Sequence, residues 1–173
     1  MKPLLFGLIA IYSSAAIGLG APGVKLRDFQ LTDQDAKTRL YHFPKTKVTI
    51  MAVADYGGAA QLEPWIQRIY DRYRWKIDID GVADVSFIPK LFRPVLREAF
   101  KKQLTYSVML DWDGSVVRQF AYERNVANIY LVDRSGRVAC RFTGEVNDQA
   151  LRTLFREIDA AIATARPDKP VDF

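Results

Sequence analysis

Apolar residues change their spacing along the chain, and each spacing predicts a different secondary-structure element. Residues 29–31 and 40–43 alternate between apolar and polar positions on either side of a polar turn, which predicts a short hairpin or two strand stubs. The next segment, Val48 to Ala54, is apolar almost throughout and rich in β-branched residues. Such a run is typical of a central strand covered on both faces, so we expect helices on both sides of it.

After Gly57 and Gly58 the spacing becomes helical. Apolar residues recur every three or four positions from Leu62 to Tyr73, which predicts an amphipathic helix ending near Trp75. Pro64 lies inside this predicted helix. Because proline removes one backbone donor and crowds the preceding turn, a kink is expected there.

A second helix is predicted from Pro94 to about Gln103, because proline is favoured in the first helical turn. Its inward face is predicted to contain Val95, Leu96, Ala99 and Phe100, and its outward face Arg93, Arg97, Lys101 and Lys102. The basic face is interpreted either as a solvated surface or as a docking patch for a lipid or nucleic-acid surface.

The remaining segments complete an alternating order of strands and helices. Residues 77–88 are predicted as strand and loop, residues 107–110 and 128–132 as strands, and residues 116–122 as a short helix. A tight turn at Asp133 to Gly136 predicts a hairpin with residues 137–142. Asn147 or Asp148 is expected to cap a final helix, whose buried stripe contains Leu151, Leu154, Phe155, Ile158 and Ile162. This order predicts an α/β sandwich with parallel crossovers first and an antiparallel hairpin at the end.

Two groups of residues stand in a recognisable order and spacing. The first is Asp28-Phe29-Gln30-Leu31, followed by Leu40, Phe43 and Lys47 before the central strand. The second is Asp133 and Gly136 in the hairpin turn, with Gly144 before the last helix. Together they resemble the redoxin branch of the thioredoxin-like superfamily, which includes exported thiol oxidoreductases and peroxiredoxins. The resemblance spans about residues 28–162. It implies a thioredoxin-like three-layer sandwich, with a central mixed β-sheet and helices on both faces.

The same resemblance locates an active-site turn whose reactive residues are absent. The family motif reads Trp-Cys-Gly-Pro-Cys, with a proline five residues later; this chain has Asp55-Tyr56-Gly57-Gly58-Ala59 there, followed by Pro64. Tyr56 replaces the attacking cysteine and Ala59 the resolving one, so neither a thiolate nor a disulfide forms at the turn. The family's cis-proline corresponds to Ala127, and since non-proline residues prefer trans, we expect that loop to be reshaped. No catalytic residue is therefore predicted at this turn.

Asp55 and Tyr56 follow the central strand, at the edge where open α/β sheets bind ligands, and the glycines would let a ligand approach backbone amides. A small anion or a peptide strand is one candidate ligand for residues 55–59 and Ala127. The alternative is that the glycines only allow the turn and that Asp55 helps to cap the helix. On the first interpretation, the chain is a redox-inactive binding or accessory module for a peptide or an envelope protein.

Cys140 is the only cysteine, so the chain forms no internal disulfide. Val138 and Phe142 share its strand face, which predicts a buried and inert thiol. The alternative is an accessible thiol that forms mixed disulfides or a covalent dimer. In that case the chain is a single-thiol oxidoreductase or a peroxidase-like enzyme.

Composition narrows the remaining function classes. His42 is the only histidine, so neither a histidine-rich metal site nor a serine hydrolase triad is expected. Asp111 to Gly114 begins like a calcium loop but lacks the closing glutamate, so it is predicted to be a turn. The net charge of +5 suits acidic partners, but the basic residues are scattered and no groove-reading motif accompanies them. We expect no metal, no cofactor and no nucleic-acid partner.

The first residues resemble a targeting signal. Lys2 precedes an apolar stretch from Leu4 to Leu19, and small residues follow at Gly20 and Ala21. We predict export to the periplasm, with residues 1–20 either removed as a signal peptide or retained as an uncleaved anchor, and no further membrane span. Residues 21–165 are predicted to form the thioredoxin-like domain, and residues 166–173 a flexible C-terminal tail.

Overall fold

The computed structural model describes residues 23–164, so the predicted signal segment and the predicted tail lie outside the described residues. The strands are β1 (Phe29–Asp33), β2 (Thr38–Tyr41), β3 (Thr49–Ala54), β4 (Asp78–Asp84), β5 (Val108–Asp111), β6 (Asn128–Val132) and β7 (Val138–Thr143). The helices are α1 (Leu62–Tyr73), α2 (Arg93–Gln103), α3 (Val117–Phe120) and α4 (Asp148–Ala163).

These strands form one mixed sheet in the order β2-β1-β5-β4-β3-β6-β7. Strands β3, β4 and β5 run parallel to one another, whereas β1–β2, β1–β5, β3–β6 and β6–β7 are antiparallel pairs. Parallel neighbours need a crossover connection, and α1 and α2 supply the two that are required. The predicted α/β sandwich with a central mixed sheet is confirmed.

Strand β3 lies inside this sheet, and all of its residues are buried. Because successive side chains of a strand point to opposite faces, β3 contributes to two separate cores. Ile50 packs with Trp65 of α1 and Leu154 of α4 in one core. Met51 packs with Phe120 of α3 in the other. Helices therefore cover the sheet on both faces, as the apolar run of β3 predicts.

Both predicted hairpins and the final helix are confirmed. Strands β1 and β2 pair in antiparallel register, so residues 29–43 form a hairpin rather than two separate stubs. In the β6–β7 turn, Asp133 Oδ1 accepts hydrogen bonds from the N–H groups of Ser135 and Arg137. At the start of α4, Asn147 Oδ1 accepts a hydrogen bond from the Ala150 N–H at 2.8 Å. The N-cap is thus Asn147 rather than Asp148.

Pro64 lies in the first turn of α1 rather than inside the helix. A 3₁₀ turn at Ala59–Gln61 precedes α1, which begins only at Leu62. The first four amides of an α-helix have no acceptor within the helix, so the missing Pro64 N–H breaks no helical hydrogen bond. The kink was predicted because a proline inside a helix removes a hydrogen bond and crowds the preceding turn. That reason does not apply here, because α1 begins only two residues before Pro64.

The predicted faces of α2 are partly wrong. Val95, predicted to face inward, is 69% exposed. Arg93 and Arg97, predicted to face outward, are half-buried beside the Trp112 ring, with their guanidinium carbons 4.9 and 5.7 Å from its centroid. The position of Trp112 depends on the pairing of β5 within the sheet, which the local pattern of α2 does not contain.

None of the helices described in residues 23–164 is both long enough and apolar enough to cross a membrane.

Candidate functional site

Residues 55–59 form a tight turn between the carboxyl end of β3 and the start of α1. Asp55 is 5% exposed, whereas the Tyr56 side chain projects into solvent and is 90% exposed. Gly58 is buried, and the chain then enters the 3₁₀ turn that precedes α1. The turn therefore presents one exposed aromatic side chain next to a buried carboxylate.

The Asp55 carboxylate joins this turn to the segment 124–127. Its Oδ1 accepts hydrogen bonds from the N–H groups of Gly58 and Asn125, both at 3.1 Å. Its Oδ2 also accepts from the Asn125 N–H at 3.1 Å and lies 3.6 Å from Arg124 Nε. These bonds offset the loss of hydration that burial of a carboxylate causes. Asp55 thus supports the turn through Gly58, whereas the α1 N-cap, Gln61, makes no side-chain cap bond.

Both glycines of the turn lie where the chain packs closely against itself. A Cβ atom on Gly58 would lie 2.2 Å from the Val126 carbonyl oxygen, and one on Gly57 would lie 2.6 Å from Asn125 Oδ1. Neither glycine has a positive φ angle, so conformational freedom is not the reason for them. The two glycines therefore leave room for residues 125 and 126 of the chain itself on the side of the turn that faces them.

Ala127 ties the 124–127 segment to the helix start and to the last loop. It is fully buried, and its N–H donates to Gln61 Oε1 at 3.1 Å while its carbonyl accepts from the Gly144 N–H at 2.9 Å. Within residues 23–164 the only cis peptide bond precedes Pro44, so the bond before Ala127 is trans as expected. The N–H that a proline would lack is therefore used here as a donor.

Sequence reasoning missed that an aspartate lies at the carboxyl end of each parallel strand. Asp55 follows β3, while Asp84 ends β4 and Asp111 ends β5 as its register partner. All three are at most 5% exposed. The sequence held part of the signal, because Asp55 and Asp111 directly follow predicted strands, and carboxyl ends of parallel strands meet at one edge of the sheet. Asp84 lies within residues 77–88, which are predicted only as strand and loop.

The hydrogen bonds of Asp84 and Asp111 point to structural roles. Asp84 accepts from the Ser86 N–H at 3.0 Å, from Ser86 Oγ at 2.6 Å and from the Tyr122 hydroxyl at 2.5 Å. Burial tends to raise the pKa of Asp84, but these hydrogen bonds bring it below the usual value. Asp111 Oδ2 accepts from the Val116 and Val117 N–H groups, yet burial raises the pKa of Asp111, and the nearby Asp113 carboxyl adds to the rise.

An open pocket of about 340 Å³ lies at this edge of the sheet. It is lined by Asp84, Ser86, Gly114, Val117, Arg118, Ala121, Tyr122 and Arg124. Burial and the Asp84 carboxylate raise the pKa of Tyr122, so its hydroxyl stays protonated at neutral pH. With Asp84 already accepting three hydrogen bonds, the pocket offers groups for binding rather than an activated base or nucleophile.

Cys140 lies on β7, opposite Leu131 of β6, and packs against the core that contains α1 and α4. Burial, aided by the charge of Glu157, raises the pKa of the Cys140 thiol to about 12. It lies three positions before Thr143, which is at the end of β7 nearest the 124–127 segment, a distance of about 10 Å along a strand. Cys140 is thus half-buried, protonated at neutral pH and separate from the turn.

His42 is exposed and lies in the hairpin region, where its Nδ1 is 2.7 Å from Asp28 Oδ2. In the part of the chain that the structure describes, no group of three or more histidine, cysteine, aspartate or glutamate residues is arranged to hold a metal ion.

No protein-family model and no curated protein matches the chain. Solved structures do match. A candidate thiol:disulfide interchange protein DsbE from Chlorobium tepidum has a TM-score of 0.62 and 18% identity, covering 82% of this chain and 98% of its own. The exposed lipoprotein thioredoxin of Streptococcus pneumoniae has a TM-score of 0.61 and 17% identity, covering 76% and 99%. StoA of Bacillus subtilis has a TM-score of 0.56 and 15% identity, covering 79% and 98%.

At these identities the similarity establishes the fold. The chain has one cysteine, and that residue lies on β7 rather than at the turn that follows β3. The chain therefore has the thioredoxin-like fold, with a degenerate turn at residues 55–59 that lacks both cysteines of the redoxin motif.

Proposed function

We propose that the chain is an exported, redox-inactive protein that binds an extended peptide or a segment of an envelope protein at the 55–59 turn. The observation that carries the proposal is the 90% exposure of Tyr56 on a turn whose backbone is fixed. Asp55 is buried beside it and accepts hydrogen bonds from Gly58 and Asn125. An aromatic side chain on a fixed backbone loses little conformational freedom on binding and is favoured as an interface anchor.

The neighbouring segment supplies polar groups that suit a peptide. Within residues 23–164, the Val126 N–H has no hydrogen-bond acceptor, although the N–H groups on either side of it are both bonded. Arg124 is exposed, and its one ion pair in this part of the chain is the contact with Asp55. A free backbone donor, a guanidinium and an exposed ring together match the carbonyls and side chains of an extended peptide.

Two further observations support the rest of the proposal. The single cysteine, absent from the turn, agrees with a lack of dithiol redox activity. Export is supported by the apolar start of the chain and by its structural similarity to a protein described as an exposed lipoprotein thioredoxin.

The binding role is tested by affinity capture from an envelope fraction with the immobilised chain. Tyr56→Ser removes the proposed anchor, and Tyr70→Ser is the matched control, because Tyr70 is a 51% exposed tyrosine on α1. We expect a specific partner to be lost with Tyr56→Ser and retained with Tyr70→Ser. If both variants and the unmodified chain capture the same proteins, the turn is not part of the binding site.

Redox inactivity is tested separately. The purified chain is expected neither to reduce insulin disulfides in the presence of dithiothreitol above the reagent blank nor to consume peroxide. Turnover in either assay that disappears with Cys140→Ser would replace the proposal with the single-thiol enzyme. No structural observation favours that enzyme, since the thiolate is the reactive form and burial holds the pKa of Cys140 at about 12.

A further inference from the structure

Helix α2 and the connection before it expose four large apolar side chains to solvent. Leu91 is 82% exposed, Val95 69%, Phe92 55% and Phe87 48%. Leu91 and Phe92 belong to the 3₁₀ turn Lys90–Phe92, which runs directly into α2, so each lies about one helical turn from Val95. Phe87 precedes them in the same connection. We call these four residues the α2 apolar patch.

Two arginines of the same helix turn toward the protein instead. The Arg93 Nη2 donates to the Trp112 carbonyl at 3.1 Å, and the Arg97 Nη2 donates to Thr32 Oγ1 at 3.4 Å. Both guanidinium groups also lie against the Trp112 ring. Their Nε atoms are buried without a hydrogen-bond acceptor in the part of the chain described, an arrangement that is unfavourable in itself.

Helix α2 thus departs from an ordinary surface helix, which buries apolar residues and exposes charged ones. Val95 is exposed and Arg93 and Arg97 are half-buried, while its remaining large apolar residues, Leu96 and Phe100, are only half-buried. It contains no fully buried residue, whereas α1 and α4 each bury three or more. A contiguous exposed apolar patch of this kind marks a surface that is covered in the working state of a protein.

The charge around the patch indicates what covers it. Residues 87–103 contain five basic residues and one acid. Because Arg93 and Arg97 turn toward the protein, the exposed charges are three lysines (Lys90, Lys101 and Lys102) and Glu98, a net formal charge of +2. The single acid, Glu98, is paired with Lys101 at 2.9 Å. Lys90 lies between Phe87 and Leu91 in the chain and is exposed. Lys102 is also exposed and lies seven residues beyond Val95, on the same side of the helix.

We infer that the α2 apolar patch inserts into the surface of an anionic lipid bilayer, with Lys90 and Lys102 at the headgroups. Apolar side chains that protrude from α2 and from the connection before it suit a bilayer, which accepts them without a shaped pocket. Long lysine side chains beside the patch keep their charge among phosphates while their stems lie along apolar surface. This inference is independent of the ligand proposed for the 55–59 turn.

The test uses the full chain and a readout confined to residue 95. In a Cys140→Ser background, Val95→Cys is labelled with a polarity-sensitive fluorophore, and Arg152→Cys carries the same label as the control. Arg152 is exposed on α4, which packs on β6 and β7, away from α2 in the sheet order. Vesicles contain phosphatidylcholine either alone or mixed equally with phosphatidylglycerol. Because the label reports its own surroundings, residues 1–20 do not determine the result.

We expect a blue shift at position 95 but not at position 152 with the phosphatidylglycerol vesicles. Replacing Lys90 and Lys102 together by glutamine should weaken this response at least about tenfold in lipid concentration. Leu91→Asp should abolish it, whereas Leu40→Asp, at a 63% exposed leucine on β2, should not.

No shift at position 95, or equal shifts at positions 95 and 152, would overturn the inference. A shift that needs no lipid and grows with protein concentration would also overturn it, and would assign the patch to contact between two copies of the chain.

Discussion

At the scale of single residues, the degenerate turn depends on one carboxylate. Asp55 bonds to Gly58 on its own side and to Asn125 across the gap, so it holds together two segments that are 70 residues apart in sequence. Its role can be separated from that of Tyr56, because Asp55 is buried and Tyr56 is exposed. Loss of Asp55 should therefore affect stability, and loss of Tyr56 should affect binding.

Asp55→Ala is expected to lower the free energy of unfolding by about 1–3 kcal/mol, because the N–H groups of Gly58 and Asn125 lose their acceptor. Urea denaturation followed by circular dichroism measures the change. The control is Asp71→Ala, since the exposed Asp71 accepts only from the Gln67 side chain within residues 23–164 and should change stability by no more than about 0.5 kcal/mol. Equal losses for the two variants would contradict the structural role of Asp55.

Gly58→Ala is expected to destabilise the fold by about 1–3 kcal/mol, because its Cβ would lie 2.2 Å from a backbone oxygen that cannot move alone. Gly81→Ala is the matched control. A Cβ on Gly81 would meet only the Val108 side chain, at 3.4 Å or more, so little change in the midpoint of thermal unfolding is expected. If both variants unfold at the same temperature, the close approach of the 125–127 backbone is not required for stability.

At the scale of elements, the sequence predicted well the helices and turns whose ends are fixed by hydrogen bonds between neighbouring residues. A cap at Asn147 or Asp148 and the β6–β7 turn around Asp133 were both predicted from the sequence, because their hydrogen bonds join residues no more than four apart. The faces of α2 were predicted less well. Its arginines pack against the Trp112 ring on the protein side of the helix. Trp112 follows β5 in the chain, and the pairing of β4 with β5 brings it close to α2.

Asn147→Ala is expected to destabilise the protein by about 1 kcal/mol, because the Ala150 N–H at the start of α4 loses its acceptor. Asn147→Ser keeps a capping oxygen and should stay close to the unmodified chain. Hydrogen exchange of the first-turn amides of α4 gives a local readout, and unchanged protection in Asn147→Ala would exclude the cap as a stabilising contact.

At the scale of the whole molecule, the apolar pattern was enough to predict the sandwich but not the sheet edge. Strand β3 is apolar on both faces, and that fact alone requires helices above and below the sheet. The meeting of Asp55, Asp84 and Asp111 depends on strand order, which single segments do not encode. The contact between the 124–127 segment and the turn could not be predicted for the same reason, because it joins Asp55 to Asn125, 70 residues later in the chain.

The pH dependence of stability follows from the burial of Cys140. Burial raises the pKa of this thiol to about 12 in the folded protein, against about 8.5 in an unfolded chain. The protonated thiol therefore contributes fully below about pH 8.5, and its contribution falls as the pH rises from there toward 12. The unfolding free energy of the unmodified chain minus that of Cys140→Ala should thus decrease by up to about 1.4 kcal/mol per pH unit above pH 8.5.

This difference is measured by urea denaturation of both proteins between pH 8 and 10.5, so that tyrosine titrations common to the two cancel. Slow reaction of the native thiol with a maleimide at neutral pH is the accompanying expectation. A difference that is constant with pH, together with rapid labelling, would show that the Cys140 side chain is accessible to solvent.

The hydrogen bond from Ala127 to Gln61 has a consequence for protein engineering. Installing cysteines at positions 56 and 59 would restore the thiols of the redoxin motif, but not the proline that the motif pairs with them. A proline at position 127 has no N–H, so the Gln61 oxygen would lose its donor and α1 would lose its link to the loop. Converting this scaffold into an oxidoreductase therefore requires residues 61 and 127 to be exchanged together, along with the two cysteines.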